Sequence, residues 1–337
     1  MSLWYTGAAM TKRERVTAVL SRKPVDRPPV SFWRHVPAVD HVAAGLAEAM
    51  LAFQRRWDLD FIKVMSSGVY CVEDWGCRVE YAGSPDGAKQ CTQHAVESTA
   101  DWARIKPLDP GAGALGRELE AVRLIARGRP DDAPVLHTIF SPLTIAQKLA
   151  GNQLAVDLRT RPEAVLAALE AITETVSRYT GAAFEAGADG LFFATRSATR
   201  EHTSEEQFRR FEAPYMRRVL AAAADRSRFT LLHVHGTEIY FDEVSALPVH
   251  AVNWHDRLTP PSLAEARRRF PGVLAGGLNE SETLLRGPEA AVEREVQDAI
   301  RQTDSLGLMV TPGCVLPLDV PDEHLEAVVA AVAASRR

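Results

Sequence analysis

The sequence predicts an α/β protein built as a closed (β/α)8 barrel, the TIM-barrel architecture, in a single domain. Eight short apolar runs alternate with segments of helical period along the 337 residues, as in repeated βα units around a parallel sheet. No G-x-G-x-x-G motif follows the first run, which removes the main argument for an open dinucleotide-binding sheet. The predicted strands are 29–33, 60–65, 134–140, 190–194, 229–234, 249–254, 273–276 and 307–311.

The helices predicted between these strands include 42–56, 161–186, 205–226, 261–270, 288–303 and 322–335. Two of them have start signals, since Ser204 precedes two acidic residues and Pro288 stands next to Glu289. The longest departure from the alternation is 71–130, where we expect 71–81 to form an extra hairpin over the barrel mouth.

The sequence contains no linker or low-complexity segment, so we predict one domain over residues 11–337. Residues 1–10 are interpreted as a leader or tag-like segment, because Met10 and the basic residues after it look like a natural start. Residues 1–9 lack the basic and then apolar pattern of a signal peptide.

Composition narrows the class of partner and the compartment. A hydrophobic content of 46% with 25% charged residues is ordinary for a globular protein. The net charge of −5 argues against a nucleic-acid partner, and no apolar run reaches the roughly 20 residues of a membrane span. The four cysteines are too few and too irregularly spaced for a disulfide framework, which favours a reducing cytoplasm. Cys71 and Cys77 are six residues apart, not a C-x-x-C pair, and are interpreted as structural.

A candidate metal site comes from the ends of two predicted strands. His233 and His235 stand two residues apart at the end of one strand, and Cys314 follows the last strand. Zn²⁺ accepts neutral imidazole and thiolate together, and a catalytic zinc site uses three protein ligands with one position open. The alternative is two polar residues at a strand end and a small buried cysteine.

Most of the other predicted strands also bring polar groups to the rim where barrel enzymes hold their active sites. Arg34 either solvates a strand end or binds a carboxylate or phosphate. Lys63 is either an inward charge paired with an acid, which we favour, or an amine of lowered pKa. His255 and Asp256 either cap a helix or orient and deprotonate a substrate. The candidate substrate-binding residues are Arg34, His137, Asn253 and Asn279, and the candidate catalytic residues are His255, Asp256 and Lys63.

Four segments, in this order and spacing, resemble the uroporphyrinogen decarboxylase superfamily. They are Thr11-Lys-Arg-Glu-Arg-Val with Pro24-Val-Asp-Arg27-Pro-Pro-Val, Phe140-Ser-Pro142-Leu-Thr-Ile-Ala146, Leu232-His-Val-His-Gly236 and Pro312-Gly-Cys314-Val-Leu-Pro317. The resemblance covers nearly the whole chain and implies a (β/α)8 barrel with its site at the mouth.

The resemblance implies one of two chemistries, and this chain departs from both patterns. True decarboxylases carry M-R-Q-A-G-R after the first strand, whose arginines bind substrate carboxylates, and a Gly-His near the last strand. Here Arg34 keeps the first arginine, Ala38 stands at the second, and Gly313-Cys314 replaces the Gly-His. The zinc methyltransferases carry His-x-Cys and a distant Cys, which His233, His235 and Cys314 match with one Cys replaced by His.

We therefore expect a zinc enzyme of the methyltransferase branch that moves a methyl group between a corrinoid, or another donor, and a thiol or oxygen acceptor. Its expected partners are an anionic small molecule, a corrinoid protein and a second copy in a homodimer. The first alternative is metal-free decarboxylation of uroporphyrinogen or a related substrate. The second is a non-catalytic binder of corrinoids or tetrapyrroles.

Overall fold

The computed structural model describes residues 9–336. Its centre is a curled parallel sheet of seven strands, each hydrogen-bonded to the next in the order β1-β4-β5-β6-β7-β8-β9. A separate antiparallel pair is formed by β2 and β3. The strands are β1 (Ile62–Lys63), β2 (Arg78–Glu80), β3 (Gln90–Gln93), β4 (Val135–Phe140), β5 (Gly190–Thr195), β6 (Phe229–Val234), β7 (Ala251–Trp254), β8 (Val273–Leu278) and β9 (Leu308–Pro312).

Seven of the eight predicted strands are present, and the prediction of a strand at 29–33 is wrong. That segment forms a single parallel bridge between Val30 and Val310 in place of a strand. Its backbone nevertheless bonds on both sides, since Ser31 N donates to the Val310 carbonyl at 3.2 Å and Asp60 N donates to the Val30 carbonyl at 2.9 Å. Pro28 and Pro29 have no N–H to donate to a ladder, which limits the pairing.

A buried ion network holds this segment beside β1. The Asp60 carboxylate is fully buried and accepts from Arg15 Nη1 at 2.6 Å, Arg27 Nη1 at 2.6 Å and Val30 N at 2.7 Å. Arg15 also binds both oxygens of Asp26 at 2.7 Å. The charged residues of 11–27 therefore join the first helix to the sheet through buried, charge-assisted hydrogen bonds.

Helices surround the sheet and account for all six helical predictions. The predicted 205–226 helix is interrupted by a π-helical turn at Phe208–Glu212, next to Pro214, which cannot donate a backbone hydrogen bond. A 3₁₀ helix lies at Thr99–Arg104. The α-helices are α1 (Lys12–Leu20), α2 (Ala43–Trp57), α3 (Tyr70–Glu73), α4 (Gly113–Gly128), α5 (Pro142–Ala150), α6 (Gln153–Thr160), α7 (Pro162–Glu185), α8 (Glu205–Gln207), α9 (Ala213–Ala223), α10 (Phe241–Ser245), α11 (Leu263–Arg269), α12 (Thr283–Arg286), α13 (Glu289–Thr303) and α14 (Asp322–Ala334).

An extra hairpin is present, but it lies later in the chain than predicted. Residues 70–73 form the short helix α3, and the hairpin is made by β2 and β3, which span 78–93. Residues of its connecting loop, among them Asp86 and Lys89, reach the main cavity. The hairpin therefore contributes one wall of that cavity.

The strands of the parallel sheet are buried on both faces, as expected when helices cover the outside and side chains fill the inside. Successive side chains then point alternately to the interior and to the helices. None of the helices within 9–336 is long and apolar enough to cross a membrane. Most of the predicted leader, residues 1–8, lies outside the described residues.

Candidate functional site

A cavity of about 230 Å³ opens at the carboxyl ends of the parallel strands. This is the end at which barrel enzymes place their chemistry. The lining side chains come from the ends of five strands, from residues 33–35, from the hairpin loop and from α5. They include Trp33, His35, Lys63, Met65, Ser66, Asp86, Lys89, Thr138, Phe140, Lys148, Phe192, Thr195, Arg196, His233, His235 and Cys314.

The two histidines and the cysteine predicted as metal ligands converge in this cavity. Their candidate ligand atoms all lie within 4.8 Å of one another. Cys314 Sγ is 3.4 Å from His235 Nδ1 and 3.6 Å from His233 Nε2. His233 is in β6, His235 lies just beyond it, and Cys314 follows β9 across the sheet. The curl of the sheet, not proximity in the chain, brings them together.

Asn253 on the neighbouring strand β7 fixes the orientation of His233. Its Oδ1 lies 2.6 Å from His233 Nδ1, and its Nδ2 donates to the carbonyls of Ala275 and Pro312 at 3.0 Å. Because Nδ2 is engaged by carbonyls, Oδ1 must accept, and His233 Nδ1 carries the proton. His233 Nε2 is then the ring nitrogen that faces Cys314, and a hydrogen bond of this kind at Nδ1 is the usual support of a metal-binding histidine.

The electrostatics of Cys314 favour the thiolate. Burial acts to raise its pKa, but the charges and hydrogen bonds of His233 and His235 outweigh burial and hold the pKa well below its ordinary value. A thiolate is the form of cysteine that binds metals and attacks electrophiles.

His255 lies beside the same thiol and has a buried carboxylate partner. Its ring centre is 5.4 Å from that of His235, and its Nδ1 is 2.7 Å from Glu280 Oε1. Burial opposes the charged form, but hydrogen bonds to Cys314 and Glu280 raise the pKa of His255 to about 10. Glu280 also accepts from the Gly313 amide at 3.1 Å, which ties this pair to the loop that carries Cys314.

The cavity walls are strongly cationic. Lys63, Lys89, Lys148 and Arg196 line it, and among the described lining residues Asp86 is the sole carboxylate. Lys148 is half-buried, and desolvation lowers its pKa. Arg196 has a buried Nε with no hydrogen-bond partner among the described residues. Such a surface concentrates anions, and a guanidinium with a free donor is suited to a carboxylate, sulfonate or phosphate.

Lys63 corrects one sequence-based interpretation, because no described carboxylate pairs with it. Its Nζ lies 2.9 Å from Met65 Sδ and 4.4 Å from the centre of the Phe192 ring. Burial lowers its pKa to about 7, against a smaller opposing effect of Cys314. The second interpretation, an amine of lowered pKa, agrees with this environment.

We expect Lys63→Met to stabilise the protein at neutral pH. The folded pKa of about 7 lies below the unfolded value of roughly 10.4, so the unfolded chain binds more protons between these pH values. The cost of the buried charge is complete below about pH 7 and disappears above roughly pH 10.4. The variant should gain on the order of 3 kcal/mol near neutral pH and nothing near pH 10.4. Urea unfolding of both proteins across this range measures the difference, and a gain independent of pH would contradict the assignment.

Comparison with models of protein families identifies the family of this chain. The family model described as "Uroporphyrinogen decarboxylase (URO-D)" matches residues 11–335. The chain belongs to the uroporphyrinogen decarboxylase family.

Relatives of this family member include both methyltransferases and decarboxylases. It is 23% identical over 341 residues to the methylcobamide:CoM methyltransferase MtbA of Methanosarcina acetivorans, with 95% of this chain and 96% of the relative covered. It is 28% identical over 352 residues to the uroporphyrinogen decarboxylase of Burkholderia pseudomallei, with 92% of each covered. Both relatives are enzymes, and this chain is an enzyme of the same family.

A solved structure shares the fold of this family member. The methyltransferase from Methanosarcina mazei superposes with a TM-score of 0.84 at 21% identity, covering 96% of this chain and 99% of the other. At this identity the likeness establishes the fold alone.

Two candidate substrate-binding residues of this family member point away from the cavity. Arg34 lies between Trp33 and His35, which line the cavity, and its Nη2 donates to the Val320 carbonyl at 2.8 Å. His137 is completely buried against the helices, with Nε2 2.8 Å from the Tyr179 hydroxyl, and burial lowers its pKa to about 3. Successive side chains of an extended chain point to opposite faces, so both residues face away from the cavity that their neighbours line.

Two further candidates stabilise turns behind the cavity. Asn279 Oδ1 accepts from the backbone of Ser281 and Glu282 at 3.1 and 3.0 Å. Asp256 is completely buried, accepts from Gly277 N at 2.9 Å, and burial raises its pKa to about 7. Neither residue lines the cavity, and Glu280, not Asp256, is the carboxylate beside His255.

Sequence reasoning placed Arg196 at the barrel rim without giving it a role, and it missed Lys148, Lys89 and Glu280 as site residues. Arg196 lies two residues beyond the predicted strand 190–194 and Glu280 four residues beyond 273–276, so their positions near strand ends could have indicated the site. Lys148 is in α5 and Lys89 is in the hairpin loop. No local pattern marks these two, because their approach depends on how helix and hairpin pack.

Proposed function

We propose that this enzyme is a zinc-dependent methyltransferase that moves a methyl group between a corrinoid and a thiol or oxygen acceptor with an anionic group. The observation that carries the proposal is the cluster of His233, His235 and Cys314 in a cation-lined cavity. The MtbA relative, named as a methylcobamide:CoM methyltransferase, supports the same branch of the family.

The donor set fits zinc. Two imidazole nitrogens and one thiolate sulfur within 4.8 Å of one another form a mixed set of the kind found in catalytic zinc sites. Asn253 holds His233 in the tautomer that leaves Nε2 free, and the environment of Cys314 favours its thiolate. Zinc bound there would act as a Lewis acid that lowers the pKa of a thiol or oxygen acceptor and makes it nucleophilic at neutral pH.

The residues around the cluster have separate roles in this proposal. Arg196 and Lys148 bind the anionic end of the acceptor and direct its reactive atom toward Cys314. Lys63 lines the cavity wall, where its lowered pKa of about 7 leaves the amine only partly protonated at neutral pH. His255, oriented by Glu280, would place positive charge next to the ligand sulfur of Cys314. Asn253 acts as a positioning residue through His233.

The size of the cavity bears on the methyl donor. About 230 Å³ is below the usual range of roughly 300–1,000 Å³ for small-molecule pockets, so a small acceptor fits better than a whole corrinoid. We propose that the corrinoid is presented at the mouth, on a partner protein.

We also propose that residues 11–337 form one closed (β/α)8 domain in which 29–33 occupies the place of the eighth strand. A homodimer and a cytoplasmic location stay predictions.

Decarboxylation of a carboxylated ring is the second candidate. Asp86 on the hairpin loop faces the cationic cavity, where a carboxylate is suited to stabilise a protonated pyrrole. The 28% identity to a uroporphyrinogen decarboxylase favours the same candidate. Against it, Ala38 replaces a clamping arginine, Arg34 points away from the cavity, and the cavity is small for a ring that bears eight carboxylates.

The test is a direct assay of both reactions on one zinc-loaded preparation. With methylcobalamin and 2-mercaptoethanesulfonate, we expect the methyl thioether to form and the visible spectrum of methylcobalamin to be lost. Arg196→Leu should raise the Michaelis constant for the thiol by at least about ten-fold, since a charge-assisted hydrogen bond contributes roughly 1.5–3 kcal/mol. With uroporphyrinogen, we expect little or no coproporphyrinogen by chromatography. Efficient decarboxylation without methyl transfer would replace the proposal with the second candidate.

A further inference from the structure

A second group of metal-ligating side chains lies on the hairpin, outside the main cavity. Cys77 precedes β2, Cys91 is in β3, and His94 follows β3 directly. One candidate ligand atom from each lies within 4.8 Å of the other two. Cys77 is buried, whereas Cys91 and His94 are half-buried. These three residues are called the hairpin cluster below.

The local hydrogen bonds prepare the hairpin cluster for a cation. His94 Nδ1 is 2.9 Å from the Lys148 carbonyl, which can only accept, so Nδ1 carries the proton and Nε2 keeps a lone pair. A carbonyl partner of this kind is typical of metal-binding histidines. The backbone amide of Ala95 donates to Cys77 Sγ at 3.4 Å, which stabilises a thiolate there.

We propose that the hairpin cluster is a second metal site, selective for a thiophilic divalent cation such as Zn²⁺. Two thiolates and one imidazole are a common part of structural zinc sites, with the fourth position open to water. The residues come from both sides of a short antiparallel pair, so one ion would cross-link the two ends of the hairpin.

The position of the site gives it a consequence for the main cavity. His94 bonds the carbonyl of Lys148, whose side chain lines that cavity, and the hairpin loop contributes Asp86 and Lys89 to the same wall. A cation on the hairpin cluster would therefore fasten the hairpin against α5 and order this wall. The proposal does not depend on methyl transfer.

The experiment measures zinc in full-length protein by elemental analysis, after purification under reducing conditions and incubation with Zn²⁺. Cys91→Ser and His94→Ala should each lose one equivalent relative to the wild type. Cys71→Ala removes a nearby thiol that is not part of the cluster and should lose none. Cys314→Ala tests the main cavity separately, and combining it with Cys91→Ser should remove both equivalents.

Hydrogen exchange of residues 78–93 provides a second readout. Zinc added to chelator-treated wild-type protein should slow exchange across the hairpin, and it should not do so in His94→Ala. Equal zinc content in the wild type and both cluster variants would overturn the proposal. So would a Cys77–Cys91 disulfide in the reduced preparation, which is detected as a loss of two hydrogens in the intact mass.

Discussion

Replacing Cys314 by alanine is expected to remove one equivalent of zinc and to abolish methyl transfer. Cys314 supplies the one thiol of the cluster, whose ligand atoms all lie within 4.8 Å of one another. Without it, two imidazoles remain, and a two-ligand site holds zinc far more weakly than a three-ligand site. Because loss of an outer hydrogen-bond partner alone typically costs roughly 10–100-fold in metal affinity, loss of the ligand should exceed that range.

A series of variants with graded losses of zinc affinity distinguishes a metal site from polar residues that only solvate a strand end. His233→Ala should behave like Cys314→Ala, whereas Asn253→Ala should weaken zinc affinity by only about 10–100-fold, since it removes the partner that orients His233. His41→Ala is the control, because His41 is exposed and belongs to neither cluster. Zinc titration of chelator-treated proteins gives the affinities. An unchanged zinc content in Cys314→Ala and His233→Ala would contradict the site.

Asp60→Asn is expected to produce the largest loss of stability. The substitution keeps the shape of the side chain but removes the charge that Arg15 and Arg27 share in a fully buried position. Removing one partner of a buried ion pair leaves uncompensated charge and typically costs about 3–5 kcal/mol. The same change weakens the acceptor of Val30 N, so segment 29–33 should loosen beside β1.

An exposed ion pair supplies the matched control for Asp60. Asp322 binds Arg56 at 3.1 Å, with half of each side chain exposed. Asp322→Asn should cost less than about 1 kcal/mol, because solvent screens exposed pairs. Urea unfolding of the two variants and the wild type compares the costs directly. Similar losses in both variants would show that the Asp60 network does not hold the first segment to the sheet.

The proposed zinc ligands His233, His235 and Cys314 could be predicted from two patterns that are visible in the sequence. Apolar runs of strand length predicted seven strands, and the carboxyl ends of parallel strands meet at one edge. His233, His235 and Cys314 follow such runs, so their convergence needed only the correct order of strands. The strand wrongly predicted at 29–33 shows the limit, since Pro28 and Pro29 lack the donors that a full ladder requires.

The face of a strand on which a side chain lies was harder to predict than the residues that form the strand. Arg34 follows the extended segment 29–33 and His137 lies within β4, but each faces away from the cavity while its neighbours face it. A shift of one residue reverses the face, and strand boundaries predicted from sequence are not accurate to one residue. Lys63 does face the cavity, but the absence of an acid beside it depends on residues far away in the chain.

The sequence by itself determined the α/β class, six of the helical segments, the seven strands of the parallel sheet and the identity of the proposed zinc ligands. Only the tertiary structure decided which groups act on those ligands. Asn253 orients His233, Glu280 binds His255, and Lys148 and Lys89 enter from a helix and a loop. The physical reason is that the periodicity of apolar residues depends on residues that are neighbours in the chain, so the sequence shows it directly. Hydrogen bonds and ion pairs in the cavity join residues that are far apart in the chain. They meet only when the sheet curls and the helices and the hairpin pack against it.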